Sequence, residues 1–181
     1  MPPRQRESTT KVHYHLRDPF LRFYFRFIEP NLDIIDLGNP QALWTIIADQ
    51  FRSFVGKTAF EELCREWVLL KSNTPNFPII PEVVGSHWVT AESEIDVAAV
   101  NWHTKSLLLG ECKWTDDPVD LKELRQLVEK GSGVIPGDDW KVTYVLFSRN
   151  SFTPPAQKEI SELHGFAVDL PALDKDLNMA L

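Results

Sequence analysis

Only two cysteines, Cys64 and Cys112, occur in the 181 residues; they give neither a disulfide framework nor a zinc spacing, and both fall in stretches patterned like regular structure, where they read as buried thiols. The five histidines contain no ligand-spaced pair beyond His13 and His15, which sets zinc aside a second time. No apolar run approaches the roughly 18 residues that cross a bilayer. The opening Met1-Pro2-Pro3-Arg4-Gln5-Arg6 also lacks the apolar segment of a signal peptide, so a cytoplasmic protein without a membrane partner is expected. Positive charge is scarce: the net charge of −7 argues against unspecific nucleic-acid binding through bulk charge. Its distribution is uneven, because residues 1–30 carry six basic and three acidic side chains, leaving +3 there and −10 over the remainder. One glycine is missing where it would matter. Gly56-Lys57-Thr58 has the ending of a phosphate-binding loop, but Phe51 stands where the first glycine belongs and no strand precedes it, so the backbone cannot wrap a phosphate and ATP binding is not expected.

What is present is an ordinary globular composition, 43% hydrophobic and 25% charged, long enough for one α/β domain with a small helical appendage. Its centre is the stretch Glu94–Trp114. Two apolar runs, Glu94–Val100 and Ser106–Trp114, are joined by the polar Asn101-Trp102-His103-Thr104-Lys105, which is the pattern of a β-hairpin. Alternation puts Glu111 and Lys113 on one face of the second strand, with Cys112 on the other, and Glu94 and Asp96 on a shared face of the first. If the strands pair so that Asp96 lies near Glu111, two carboxylates and an ammonium converge at the end of an apolar sheet. That is costly unless something compensates. A divalent ion with hard oxygen ligands compensates it, as Mg²⁺ requires, and the lysine beside it suits phosphodiester hydrolysis by orienting a water and stabilising developing charge. The plainer alternative is a cross-strand salt bridge.

Asp96 followed fifteen residues later by Glu111-Cys112-Lys113, on consecutive apolar strands, resembles the D…(D/E)-x-K signature of the PD-(D/E)XK nuclease superfamily. The flanks Gly85-Ser86-His87-Trp88, Glu94-Ile95-Asp96-Val97-Ala98 and Gly110-Glu111-Cys112-Lys113-Trp114 are similar to the domain found at the C-terminal end of archaeal-type AAA ATPases. So are Tyr14–Phe23 and Gly56–Glu61. The ATPase and winged-helix regions that precede that domain in the full-length pattern are not in this chain. The resemblance implies a restriction-endonuclease-like α/β core, a mixed central sheet flanked by helices. It implies Mg²⁺ as cofactor with Mn²⁺ as substitute, DNA as substrate, an AAA ATPase module as partner, and a possible homodimer. It assigns Asp96, Glu111 and Lys113 to catalysis, and Asp96, Glu111, Glu61 and the backbone carbonyl of Cys112 to the metal; Glu62 competes with Glu61, and a surface i,i+4 pair of Glu61 with Arg65 is the plainer reading of that helix.

Along the chain, four segments are expected: a flexible tail over 1–12, an N-terminal helical extension over 13–55, the nuclease-like core over 56–172, and a C-terminal tail over 173–181. Asp18-Pro19 caps a helix that runs to about Ile28 and stops before Pro30. Further helices are read at Pro40–Phe54 and from Thr58 to about Leu70, with Gly56 as a turn between them. A strand near His87 to Thr90 precedes the hairpin, and His87 is a possible extra polar group. After it come a helix opened by Asp117-Pro118 and closed by Gly131, a strand at Trp140–Phe147, a helix from Pro154 to Leu163 capped by Thr153, and a strand at Gly165–Leu170. Lys122, Arg125, Gln126 and Lys130 on the helix after the hairpin are placed to touch a DNA backbone, with a solvated helix face as the plainer reading. A second function class stands beside the nuclease: a non-catalytic docking or regulatory module of an ATPase, its carboxylates kept for structure.

Overall fold

The computed structural model describes residue 16, residues 18–90 and residues 93–179, with the side chains of Lys57, Thr58 and Trp88 left aside. The segment 1–12, His13 and His15 lie outside the described residues. The two apolar runs form the expected hairpin, β2 (Glu94–Asn101) and β3 (Ser106–Lys113), antiparallel from Asn101↔Ser106 to Val97↔Gly110. β1 (Val83–Trp88) pairs antiparallel on its outer side. β4 (Lys141–Ser148) and β5 (Phe166–Asp169) add in parallel beyond β3, giving a five-stranded mixed sheet in the order β1-β2-β3-β4-β5. Parallel neighbours need crossovers, and these are helices: α5 (Leu121–Ser132) between β3 and β4, and α6 (Pro154–Glu162) between β4 and β5. The β1 strand begins earlier than the sequence pattern indicates, because Val83 and Val84 already pair with Val100 and Ala99.

The central strands are buried on both faces, which is why they read as continuous apolar runs. On one face Phe60 and, from α4 (Glu61–Lys71), Cys64, Trp67 and Val68 cluster with Val97, Ala99, Leu108, Val145 and Phe147. On the other, Leu124 and Leu127 of α5 and Ile160 of α6 cover Ile95, Leu107, Leu109, Tyr144 and Leu146. The result is an α/β fold with a mixed sheet between helical layers and the element order of a restriction-endonuclease-like core.

Four local readings need correction. α5 starts at Leu121 with Asp120 as N-cap, its carboxylate accepting from the Lys122 N–H at 2.7 Å. Asp117 and Pro118 stay in the loop because Val119 is committed elsewhere: its N–H donates to the Ser151 carbonyl and its carbonyl accepts from Thr153. Gly131 lies inside that helix, not past its end. Gly56 is not a turn either. It sits in a π-helical segment, Val55–Phe60, that runs straight into α4, and a Cβ there would lie 2.9 Å from the Trp114 side chain. The C-terminal segment, read as a tail from 173, is helical over α7 (Leu170–Asn178), which buries Leu173, and its Asp176 accepts from Trp67 Nε1 at 2.7 Å and pairs with Lys71 at 3.2 Å.

By its internal contacts the chain divides into two compact units, Met1–Phe51 and Arg52–Leu181. In the first, Asp18 caps α1 (Pro19–Phe23), accepting from Phe20 N–H at 2.8 Å. The helix does not stop before Pro30: a π-helical Tyr24–Ile28, a 3-10 turn Glu29–Asn31 and α2 (Leu32–Asp36) follow directly. Pro30 is the second residue of the 3-10 turn, a first-turn position that suits the fixed φ of proline. Phe23 packs edge-on against Phe51 of α3 (Pro40–Phe54). The remaining elements and the site lie in the second unit.

Candidate active site

A break in the β1–β2 ladder sets the position of Asp96. Gly85 faces Ala98 and His87 faces Ile95, so Ser86 alone stands opposite both Asp96 and Val97, a bulge in β2. Such an extra residue bends a strand and re-aims a side chain, and here Ile95 and Val97 pack into opposite cores. The last β2–β3 ladder pair is Val97↔Gly110. Beyond it Asp96 acts as its own ladder: Oδ2 accepts from the Cys112 N–H at 2.7 Å, and its carbonyl accepts from Arg65 Nη1 at 2.8 Å. β3 continues past this point because it stays paired with β4 through Lys113↔Ser148. Glu111 and Lys113 are therefore carried on a strand that is fixed on its far side.

Glu111 is 7% exposed, and each of its oxygens faces an ammonium. Lys113 Nζ donates to Oε1 at 2.7 Å, and Lys130 Nζ, from the last turn of α5, donates to Oε2 at 3.0 Å. Lys130 also donates to the Glu94 carbonyl at 3.1 Å. The close approach of α5 is a glycine effect, since a Cβ on Gly131 would meet Leu109 Cδ1 at 2.8 Å. From the opposite helical layer, Glu61 opens α4, with Arg65 Nη1 3.8 Å from its Oε2. The surface pairing of Glu61 with Arg65 is thus present but long, while Arg65 makes its short bond to Asp96.

The acids hold more negative charge than their surroundings relieve. Burial and the neighbouring Glu111 push the Asp96 carboxyl up to about 6, against the opposing pull of the Cys112 N–H, Lys113 and Lys130. Burial, Asp96, Glu94 and Glu111 push Glu61 up to about 7, only partly offset by Arg65. Of the neighbours Glu61 and Glu62, Glu61 thus lies in the field of the other acids. For Lys113, burial opposes its charge, but the hydrogen bond and charge of Glu111, with Asp96 and Glu123, outweigh that and raise its pKa. Burial and the adjacent Cys64 push the Cys112 thiol well above its usual range, which leaves it a packing residue.

The sequence-predicted Asp96, Glu111, Lys113, Glu61 and the Cys112 peptide thus come to one end of the sheet. Lys130 and Arg65 join them unforeseen. His87 instead lines a small cavity of about 130 Å³ with Ala98, Val134 and Trp140 among others. The donor set of three carboxylates is hard and oxygen-only, suited to Mg²⁺ or Mn²⁺, and the raised proton affinities of Asp96 and Glu61 mark those two as short of positive charge. As the side chains stand, no three Asp, Glu, His or Cys residues among the described ones group closely enough to hold an ion. Both oxygens of Glu111 are on lysines.

The fold defines an α/β protein with a mixed five-stranded sheet between helical layers. The family model of DUF234, archaeal and bacterial proteins of unknown function, matches residues 24–127, and the chain belongs to that family. An uncharacterised protein of Methanocaldococcus jannaschii is 30% identical over 145 residues, which are 78% of this chain; the chain spans about a third (32%) of that relative's length. Among solved structures, a repair endonuclease from Pyrococcus abyssi matches 59% of this chain and 46% of its own, with 18% identity and a TM-score of 0.37. Among the described residues no helix is long and apolar enough to cross a membrane.

Proposed function

We propose that the chain is a metal-dependent phosphodiester hydrolase acting on DNA, with Asp96, Glu111 and Lys113 as its catalytic residues. The observation that carries the reading is the convergence of Asp96 and Glu111, at a bulge and a strand end, beside Lys113. Asp96 and Glu111, with Glu61 and the Cys112 carbonyl, would hold Mg²⁺ or Mn²⁺. A divalent ion bound there supplies Lewis-acid polarisation of a phosphoryl oxygen. The protein's own part is positional and electrostatic. Lys113 is held as an ammonium by Glu111, so it acts as a donor that orients a water and stabilises charge growing on the phosphate, not as a base. The bulge keeps the Asp96 oxygens at the sheet end, and Arg65 fixes the Asp96 backbone from α4. An AAA ATPase as partner, and pairing of two copies, remain part of the proposal.

Calorimetric titration with Mn²⁺ tests the site, supported by thermal melts, since a ligand that binds only the folded state raises its stability. Wild type is expected to bind and to melt higher with Mn²⁺. Asp96→Asn, which keeps an acceptor for the Cys112 N–H, is expected to lose most of both responses. Equal responses in the two proteins would remove Asp96 from the site. The second reading, a non-catalytic module, is favoured by one feature: Glu111 already has both oxygens paired. It predicts no response to Mn²⁺ in either protein.

A further inference from the structure

We infer that Lys130 is a built-in counter-ion that occupies Glu111 Oε2 until a divalent cation displaces it; the inference rests on the metal-dependent reading above. A carboxylate as buried as Glu111 is expensive to leave unpaired. The cation-free protein therefore needs positive charge from its own chain. Two ammonium groups supply it, and they are not equivalent. Lys113 is two residues from Glu111 on the same strand and bonds Oε1 at 2.7 Å, so it cannot move far from that carboxylate. Lys130 arrives from α5 across the face of the sheet, bonds Oε2 at the longer 3.0 Å, and has a second acceptor, the Glu94 carbonyl at 3.1 Å, on which to remain when Oε2 is taken. Metal binding is then an exchange of one cation for another at a single oxygen.

The exchange makes an unusual prediction: deleting a site residue tightens metal binding. Removing a unit charge next to the cation's ligand should raise Mn²⁺ affinity about tenfold or more in Lys130→Met. Lys130→Arg should bind like wild type. Without metal, Lys130→Met should melt below wild type, and Mn²⁺ should raise its midpoint by more than it raises that of wild type. Lys130→Gln, which can still donate to the Glu94 carbonyl, gives the same comparison with less loss of stability. The measurement is calorimetric Mn²⁺ titration of wild type, the three Lys130 variants and Asp96→Asn, with melts on the same samples. If wild type binds and both Lys130→Met and Lys130→Gln bind equally or more weakly, the exchange is overturned while the metal site stands. If none of the proteins binds Mn²⁺, the exchange and the metal-dependent reading fall together.

Discussion

Asp96 illustrates what a partly buried carboxylate costs when its neighbour is another acid. Its proton affinity is raised from 3.8 to about 6, and that of Glu61 from 4.5 to about 7, so the folded, metal-free protein retains protons that the unfolded chain releases. Stability linked to these groups is fully present below about pH 4 and is lost as pH rises through 6 and 7. For Asp96 the loss is about 2–3 kcal/mol by pH 8. Asp96→Asn should therefore be more stable than wild type at pH 8 by about 2 kcal/mol and equal to it near pH 4, as read from denaturant unfolding at the two pH values. Equal stability at pH 8 would mean that Asp96 carries no such strain. Greater stability with less metal response is the trade expected of a functional group. Glu111 and Lys113 were legible in the sequence because a strand's two-residue period places them together wherever the strand lies, whereas Asp96 and Glu61 were joined to them by the family resemblance. Lys130 was not. A lysine in the last turn of an amphipathic helix is equally explained by the helix dipole, and only the packing of α5 on β3 brings it to Glu111. Arg65 shows the same limit: its i,i+4 relation to Glu61 is written in the sequence, whereas its bond to a carbonyl thirty-one residues away is not.

Elements position these groups through two irregularities. The bulge at Asp96–Val97 turns the acid out of the ladder, and Gly131 lets α5 approach the sheet. Gly131→Ala would gain helix propensity, yet its Cβ would lie 2.8 Å from Leu109 Cδ1 and 3.3 Å from the Tyr144 ring, a contact that overpacking makes unfavourable by about 1–3 kcal/mol. Thermal unfolding should show a lower midpoint for Gly131→Ala; a raised one would mean that α5 is not held this close. The hairpin and the helices at Pro40–Phe54 and Pro154–Glu162 could be read from periodicity and caps. The start of α5 could not, because Asp117 and Asp120 are both good N-caps and the choice is made by the bridge of Val119 to Phe152. The docking of α7 was hidden for a related reason, since its sequence gives no sign that Trp67 and Lys71 meet Asp176.

At the scale of the whole molecule, sheet and flanking helices leave the acids at one end of an otherwise apolar core, the arrangement on which the proposed hydrolase rests. The net charge of −7 supplies few phosphate contacts, so DNA binding by the chain alone should be weak and best measured at low salt. The chain covers about a third (32%) of its Methanocaldococcus relative. The central claim, that Asp96, Glu111 and Lys113 form a hydrolytic site, is tested most directly by Mn²⁺-dependent cleavage of DNA at low salt, comparing wild type with Lys113→Met. Wild type should cleave only with the metal, and Lys113→Met should retain Mn²⁺ binding while losing about 10²-fold or more in rate, the cost of removing one electrostatic stabiliser. Metal-dependent cleavage at an undiminished rate in Lys113→Met, or none in wild type, would contradict the account.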